Sequence, residues 1–311
     1  MGRPSIGLAL GSGGARGWAH IGVMRTLARA GIEPDIICGT SVGALVGGLH
    51  LAGKLDALED WARNLNKMRI LSYLDLRVTG GVIGGQRLIA MMREHLGTTT
   101  LEELPLPFTS VATDLLTGHE VWLRKGDLVD VLRASISLPG LFSPVEIDGR
   151  WLVDGALVNP LPVSVCRAMG AHVVIAVNLS ADPIGRARMP GQRIARATGF
   201  DLPRDMPGAP GELNHGLGSW LRSLFVREAD SPSILGVMVQ SLNILLDRIT
   251  RSRLAGEPPD ISIAPRLGHI GLLEFDRAEE VIVEGALAAE RALGELGEMI
   301  AAVGDAAGPW R

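Results

Sequence analysis

The chain has 311 residues, room for one large domain or two ordinary ones, and its 47% hydrophobic content supplies ample material for a buried core. Net charge is −4, with Lys/Arg and Asp/Glu scattered rather than blocked, so the electrostatics make no case for a nucleic-acid partner or for strong attraction to anionic lipid. The two cysteines, Cys38 and Cys166, form no C-x-x-C and suggest neither a disulfide framework nor a zinc site; no metal or cofactor is expected, and a reducing cytoplasm is the simplest location.

Ser5–Leu10 is a short apolar run leading straight into glycines, which is not a secretory signal pattern. Ile6 also stands where a myristoylation signal needs Ser or Thr. Ile6–Leu10 and Ile36–Cys38, both bounded by glycine, suit buried parallel strands. Between them Trp18–Ala30 carries Ile21, Met24, Leu27 and Ala28 at helical spacing and stops at Gly31, which completes a βαβ unit.

Ile36–Gly53 contains no charged residue, and Gly39, Gly43 and Gly47 form overlapping G-x-x-x-G spacings of the kind found on transmembrane helix-dimer faces. Its glycine content, with Thr40, Ser41 and His50, in a segment of minimum spanning length favours a buried strand–turn–helix instead. Helices are expected at Val42–Ala52, Leu55–Met68, Gln86–His95 and Leu128–Ser137. Strands are expected at Phe108–Asp114 and Glu120–Leu123, and a hairpin over Glu146–Val153 around Asp148-Gly149. Pro162–Met169 and Val173–Leu179 read as helix and strand.

From Ala181 to Pro232 prolines and glycines mark a long irregular stretch, of the kind used as a lid or a connector. Within it Leu217, Trp220, Leu221, Leu224 and Phe225 share one helical face. The sharper reading is a lid or membrane-dipping helix, the plainer one a helix packed on the body or in a homo-oligomer interface. Ile234–Ile249, Asp260–Ala264 and Asp276–Val303 then supply a helix, a last strand and a long C-terminal helix. The fold expected is α/β, with a mainly parallel sheet covered on both faces. Residues 5–179 form its core, 180–232 an insertion, and 233–303 complete the same domain.

The chemistry concentrates in two glycine motifs. Gly39-Thr40-Ser41-Val42-Gly43 is a G-x-S-x-G pentapeptide between a β-rich run and a helix-forming one, the context in which a serine is exposed at a sharp elbow. Gly11-Ser12-Gly13-Gly14-Ala15-Arg16-Gly17 lies upstream. As a dinucleotide fingerprint it fails, because Arg16 occupies a required glycine, and no G-K-[ST] follows to make a P-loop. A glycine run after a strand can instead aim backbone N–H groups at a developing oxyanion. The base is less obvious. Among the histidines only His269 is placed as in an α/β-hydrolase, though a serine so near the N-terminus fits that order poorly. Asp154, in Val153-Asp154-Gly155-Ala156 just after the hairpin strand, is the other candidate; a partly buried carboxylate can take a serine proton directly.

Ser12–Gly17, Gly39–Gly43 and Asp154-Gly155-Ala156, in that order, resemble the motifs of the patatin-like phospholipases. Ala112-Thr113-Asp114 and Ala134–Val145 are similar to further family segments. The resemblance implies a three-layer α/β/α fold and a Ser–Asp dyad without histidine, with Ser41 as nucleophile and Asp154 as base. It also implies an oxyanion hole from the N–H groups of Gly13, Gly14 and Ala15, with Arg16 supporting that loop and Gly39, Gly43 and Gly155 shaping the turns. The implied activity is hydrolysis of fatty-acyl esters of phospholipids, lysophospholipids or neutral lipids through an acyl-serine, without calcium; transient contact at a membrane surface is a separate expectation. A non-lipid carboxylesterase and a regulatory lipid-binding protein on the same scaffold are the alternatives. The chain departs from the family pattern at Ser12 and Ala156, where many members have glycine; both residues are small.

Overall fold

In the computed structural model the described residues are 3–73, 86–182 and 234–306. The expected insertion from residue 183 onward, including the Leu217–Phe225 face, lies outside them.

The chain opens with strand β1 (Ile6–Leu10), a 3-10 turn over Gly14–Trp18 and helix α1 (Ala19–Arg29). Then follow β2 (Ile36–Thr40), α2 (Val42–Leu51), α3 (Leu55–Arg63), α4 (Lys67–Tyr73) and α5 (Gln86–Leu96). The Ile36–Gly53 segment is thus a strand, a turn and a helix, and among the described residues no helix is long and apolar enough to cross a membrane. The single helix expected over Leu55–Met68 is two. α3 ends at Arg63 with Asn64 as its C-cap, and the Asn66 side chain accepts the Arg69 N–H at 2.9 Å, capping a new helix.

Next come β3 (Phe108–Asp114), β4 (Glu120–Leu123), α6 (Leu128–Ser135) and the β5–β6 hairpin (Val145–Ile147, Arg150–Asp154). Asp148 and Gly149 both take positive φ (51° and 73°), as a tight two-residue turn demands. Helix α7 (Val163–Ala168), β7 (Val173–Val177), α8 (Ile234–Gly256), β8 (Ile261–Ile263) and α9 (Ala278–Ala306) complete the described chain.

β3, β2, β1, β7 and β8 run parallel in that order, and β4, β5 and β6 add antiparallel pairs. Alternating side chains of these strands feed two cores. Leu8, Leu10, Ile37 and Ile175 pack with α1, α2 and α9 on one face; Ala9, Cys38, Val174 and Ala176 pack with α7 on the other. This is the mixed α/β architecture, with a mostly parallel central sheet, that the sequence pattern called for.

α1 and α9 cross at near backbone contact. A Cβ at Gly22 would come within 2.0 Å of the Ile282 carbonyl oxygen, and one at Gly285 within 2.1 Å of that of Ala19. Gly294, also on α9, has nothing within 4 Å. Gly285→Ala is therefore expected to destabilise the protein by about 1–3 kcal/mol through overpacking. Gly294→Ala should be neutral or stabilising by up to about 1 kcal/mol. Paired urea melts check the contrast; similar midpoints for both variants would disprove the close crossing.

Candidate active site

Strand β3 acts as the ruler of the site. One of its edges is taken by β4, which pairs with Ser110–Thr113. The other edge must then hold both β2, which ends at Thr40 opposite Val111, and β6, which ends at Asp154 opposite Ala112. Two strands running in opposite directions thus finish beside consecutive residues of a third. Ser41, one residue past β2, faces Asp154, and its hydroxyl donates to Asp154 Oδ2 at 2.6 Å.

The elbow itself is strained. Ser41 has φ 57° and ψ −127°, a conformation disfavoured for any residue with a side chain. It persists because its surroundings over-determine it. The Ser41 N–H donates to Ser135 Oγ at 2.9 Å, and the Ser135 hydroxyl donates onward to the Val111 carbonyl at 2.6 Å. Gly39, Gly43 and Gly155 leave no room for a side chain: an added Cβ would fall within 2.5 Å of Ala44, 2.2 Å of the Leu10 carbonyl and 2.2 Å of the Val111 carbonyl, respectively.

Asp154 is almost fully buried, at 2% exposure. Its Oδ1 accepts the Ala156 N–H at 2.8 Å, its own N–H donates to the Ser137 carbonyl, and its carbonyl accepts the Thr113 hydroxyl. Burial pushes its carboxyl up to about 7, against the opposing pull of the Ser41 hydroxyl and the Ala156 amide. His269 belongs elsewhere: its Nε2 pairs with Glu280 at 2.7 Å, and both side chains are partly exposed.

The glycine loop runs over Gly11–Gly14 into the 3-10 turn. Its base is held by the Ser12 N–H on the Pro160 carbonyl (2.8 Å) and by His20 Nε2 on the Gly11 carbonyl (2.7 Å). That carbonyl needs a donor, so Nε2 carries the proton; burial pushes the imidazole down to about 4 and keeps it neutral. The far side is held by the C-terminal part of the chain. Gly14, at φ 56°, lies so near the Leu272 carbonyl that a Cβ would sit 2.3 Å from its oxygen. Arg16, buried at 3% exposure, donates from Nε to the Ile270 carbonyl (2.8 Å) and from Nη1 to Asn243 Oδ1 (3.2 Å).

One expected loop member differs. The Ala15 N–H donates to the Leu272 carbonyl at 2.9 Å and so is engaged as a structural anchor rather than an open donor. The amides of Gly13 and Gly14 make no such bond to a described residue. Ser135, His20, Asn243 and Leu272 were not singled out as site residues in the sequence. Asn243 carried one available signal, as an amide in the apolar stretch that became α8, where burial obliges a partner.

Ser41, Asp154, Gly13 and Gly14 open onto a cavity of about 130 Å³ whose walls are nearly all hydrocarbon, including Leu45, Leu138, Leu141, Phe142 and Leu246. Among the described residues no group of three or more His, Cys, Asp or Glu side chains is placed to hold a metal ion. A hydroxyl already aligned on a carboxylate of raised pKa, beside open amides and an apolar cavity, is equipped for nucleophilic attack on an ester carbonyl.

A mostly parallel sheet with a serine elbow near the N-terminus and an aspartate closing on it from an antiparallel hairpin defines a patatin-type fold. A family model described as patatin-like phospholipase matches residues 8–167. An uncharacterised NTE family protein of Mycobacterium bovis is 36% identical over 331 aligned positions, covering 93% of this chain and 91% of that one. The neuropathy target esterase sws of Drosophila melanogaster is 33% identical over 183 residues, 56% of this chain and 13% of that protein. Patatin-like phospholipase domain-containing protein 7 of Rattus norvegicus is 36% identical over 183 residues, covering 56% and 14%. This chain belongs to the patatin-like phospholipase family, a family of lipid hydrolases.

The raised Asp154 pKa fixes a linkage. Between its ordinary value of 3.8 and about 7 the folded protein keeps a proton that the unfolded chain releases. The stability tied to this group is therefore complete below about pH 4 and lost as pH rises through about 7. Asp154→Asn removes the loss. At pH 8 the variant should be the more stable by a few kcal/mol, roughly 1.4 for each pH unit between the two values. The advantage should vanish near pH 4. Urea titrations at both pH values check this, and equal stability at pH 8 would mean the carboxyl is not desolvated.

Proposed function

We propose that the protein is a serine lipid acyl hydrolase that uses Ser41 and Asp154 as a dyad and cleaves fatty-acyl esters through an acyl-serine. The observation that carries this reading is the 2.6 Å hydrogen bond from the Ser41 hydroxyl to a buried Asp154 carboxylate at the wall of an apolar cavity. Asp154 takes the hydroxyl proton as Ser41 Oγ attacks the ester carbonyl, and the Gly13 and Gly14 amides receive the oxyanion. Collapse of the tetrahedral species breaks the ester C–O bond, and Asp154 returns the proton to the leaving alcohol. Water then attacks the acyl-serine with Asp154 again as base, freeing the fatty acid and restoring the serine.

A base whose pKa sits near 7 is matched to neutral pH. The loop supplies two open donors in this reading, and losing one is expected to cost about 2.7–4 kcal/mol of transition-state stabilisation. Leu115 and Leu116, exposed just past the end of β3, lie beside the half-exposed Trp151. They support transient contact of this face with a lipid surface.

Ser41→Ala is expected to abolish turnover of p-nitrophenyl esters and labelling by a fluorophosphonate, while His269→Ala leaves both near parental levels. Labelling that survives Ser41→Ala, or inactivation by His269→Ala, would defeat the dyad. With Asp154 required in its ionised form, kcat/KM should rise with pH through an apparent pKa of about 7 and then level. A profile flat from pH 5 to 9 would exclude Asp154 as the base.

A further inference from the structure

Helix α2 starts at the nucleophile and points a line of side chains away from it. Val42 and Leu45 line the catalytic cavity; Leu45 and Leu49 line a second cavity of about 40 Å³. The two share Leu45, Trp61 and Leu88 as a common partition. Beyond it lie Leu58, Met91 and Met92, apolar and in part flexible, and the outer rim carries Lys54, Ala57 and His95. Trp61 on α3 is not a loose flap. Its ring stands edge-on to Trp18 with centroids 5.9 Å apart, and Trp18 in turn meets Phe275 at 5.8 Å. α3 is tied to α1 by Arg25, whose guanidinium reaches both Asp56 and Glu59.

We propose that the chamber beyond Trp61 is a binding site for the distal part of a long fatty-acyl chain, and that Trp61 sets how much of that chain passes. The proposal rests on the acyl-hydrolase reading and adds a length scale to it. From Ser41 to Leu49 is eight residues of helix, roughly 12 Å at 1.5 Å per residue. With C–C bonds of roughly 1.5 Å zigzagging at tetrahedral angles, that span takes about ten carbons. An octanoyl group therefore ends in the first cavity, whereas the last carbons of a hexadecanoyl group need the second. Apart from Lys54 and His95 at its rim, the chamber is lined by hydrocarbon, so the occupant of its interior is a saturated or unsaturated alkyl chain.

The test uses the whole 311-residue chain and two variants that act in opposite directions. Ala57→Trp fills the chamber from its exposed rim. Trp61→Ala widens the partition. Each methylene kept out of an apolar site lowers kcat/KM roughly fourfold. Ala57→Trp should thus reduce the ratio of hexadecanoyl to octanoyl ester kcat/KM by about tenfold or more, and Trp61→Ala should raise it. An unchanged ratio in both variants would overturn the proposal. Calorimetric binding of hexadecanoate and octanoate to Ser41→Ala protein, with and without Ala57→Trp, separates this inference from the one beneath it. Selective loss of hexadecanoate binding in a protein whose parent cleaves no ester would sustain the chamber and sink the hydrolase. Ester cleavage by the parent, with equal binding of hexadecanoate in both proteins, would do the reverse.

Discussion

A carboxylate stripped of water and aimed at a serine hydroxyl is the constraint around which this structure is arranged. An isolated carboxylate is strongly disfavoured away from water, so the Asp154 side chain is ringed by fixed partners: the Ser41 hydroxyl and the Ala156 amide on its two oxygens. Its backbone is bound just as tightly by Ser137 and Thr113. The sheet supplies the rest. Because Thr40 and Asp154 pair with adjacent residues of β3, the separation of the Ser41 hydroxyl and the Asp154 carboxylate is set by backbone hydrogen bonds rather than by loops. A one-residue slip of either strand would turn its terminal side chain to the opposite face.

The glycine loop obeys a different logic. The amides of Gly13 and Gly14 make no backbone bond to a described residue, while the residues on either side of them are fastened. Ser12, Ala15 and Arg16 are each hydrogen-bonded to distant backbone, and Gly11 is held by a histidine that burial keeps neutral. The fasteners Asn243, Ile270 and Leu272 lie downstream of the 8–167 stretch matched by the family model. Part of what orders the motif-bearing core therefore lies outside it in the sequence.

That separation explains what could be read from the amino acids alone. The parallel strands, the elbow and the Asp-Gly turn were legible because each is a local pattern: an apolar run, a glycine spacing, a turn dipeptide. The pairing of Ser41 with Asp154 rather than His269 came from the order of family motifs, and nothing local in the residues would have decided it. The break between α3 and α4 was missed because Asn64 and Asn66 act through side-chain competition with the helix, which apolar periodicity does not register. The engagement of Ala15 was invisible for a deeper reason. Its partner is a backbone carbonyl, and a carbonyl has no letter in the sequence.

The Arg16–Ile270 bond joins residues 254 positions apart, whereas Ser41 and Asp154 are 113 apart. Contacts that close such long loops form late, and during synthesis chains fold from the N-terminal side first. A growing chain thus has its serine and aspartate within reach well before the segment that fastens the glycine loop has left the ribosome. The glycine loop is fastened only after the strands that carry Ser41 and Asp154 have been made. For a protein of a lipid-hydrolysing family, the sequence of events at the loop is thus written into chain connectivity itself.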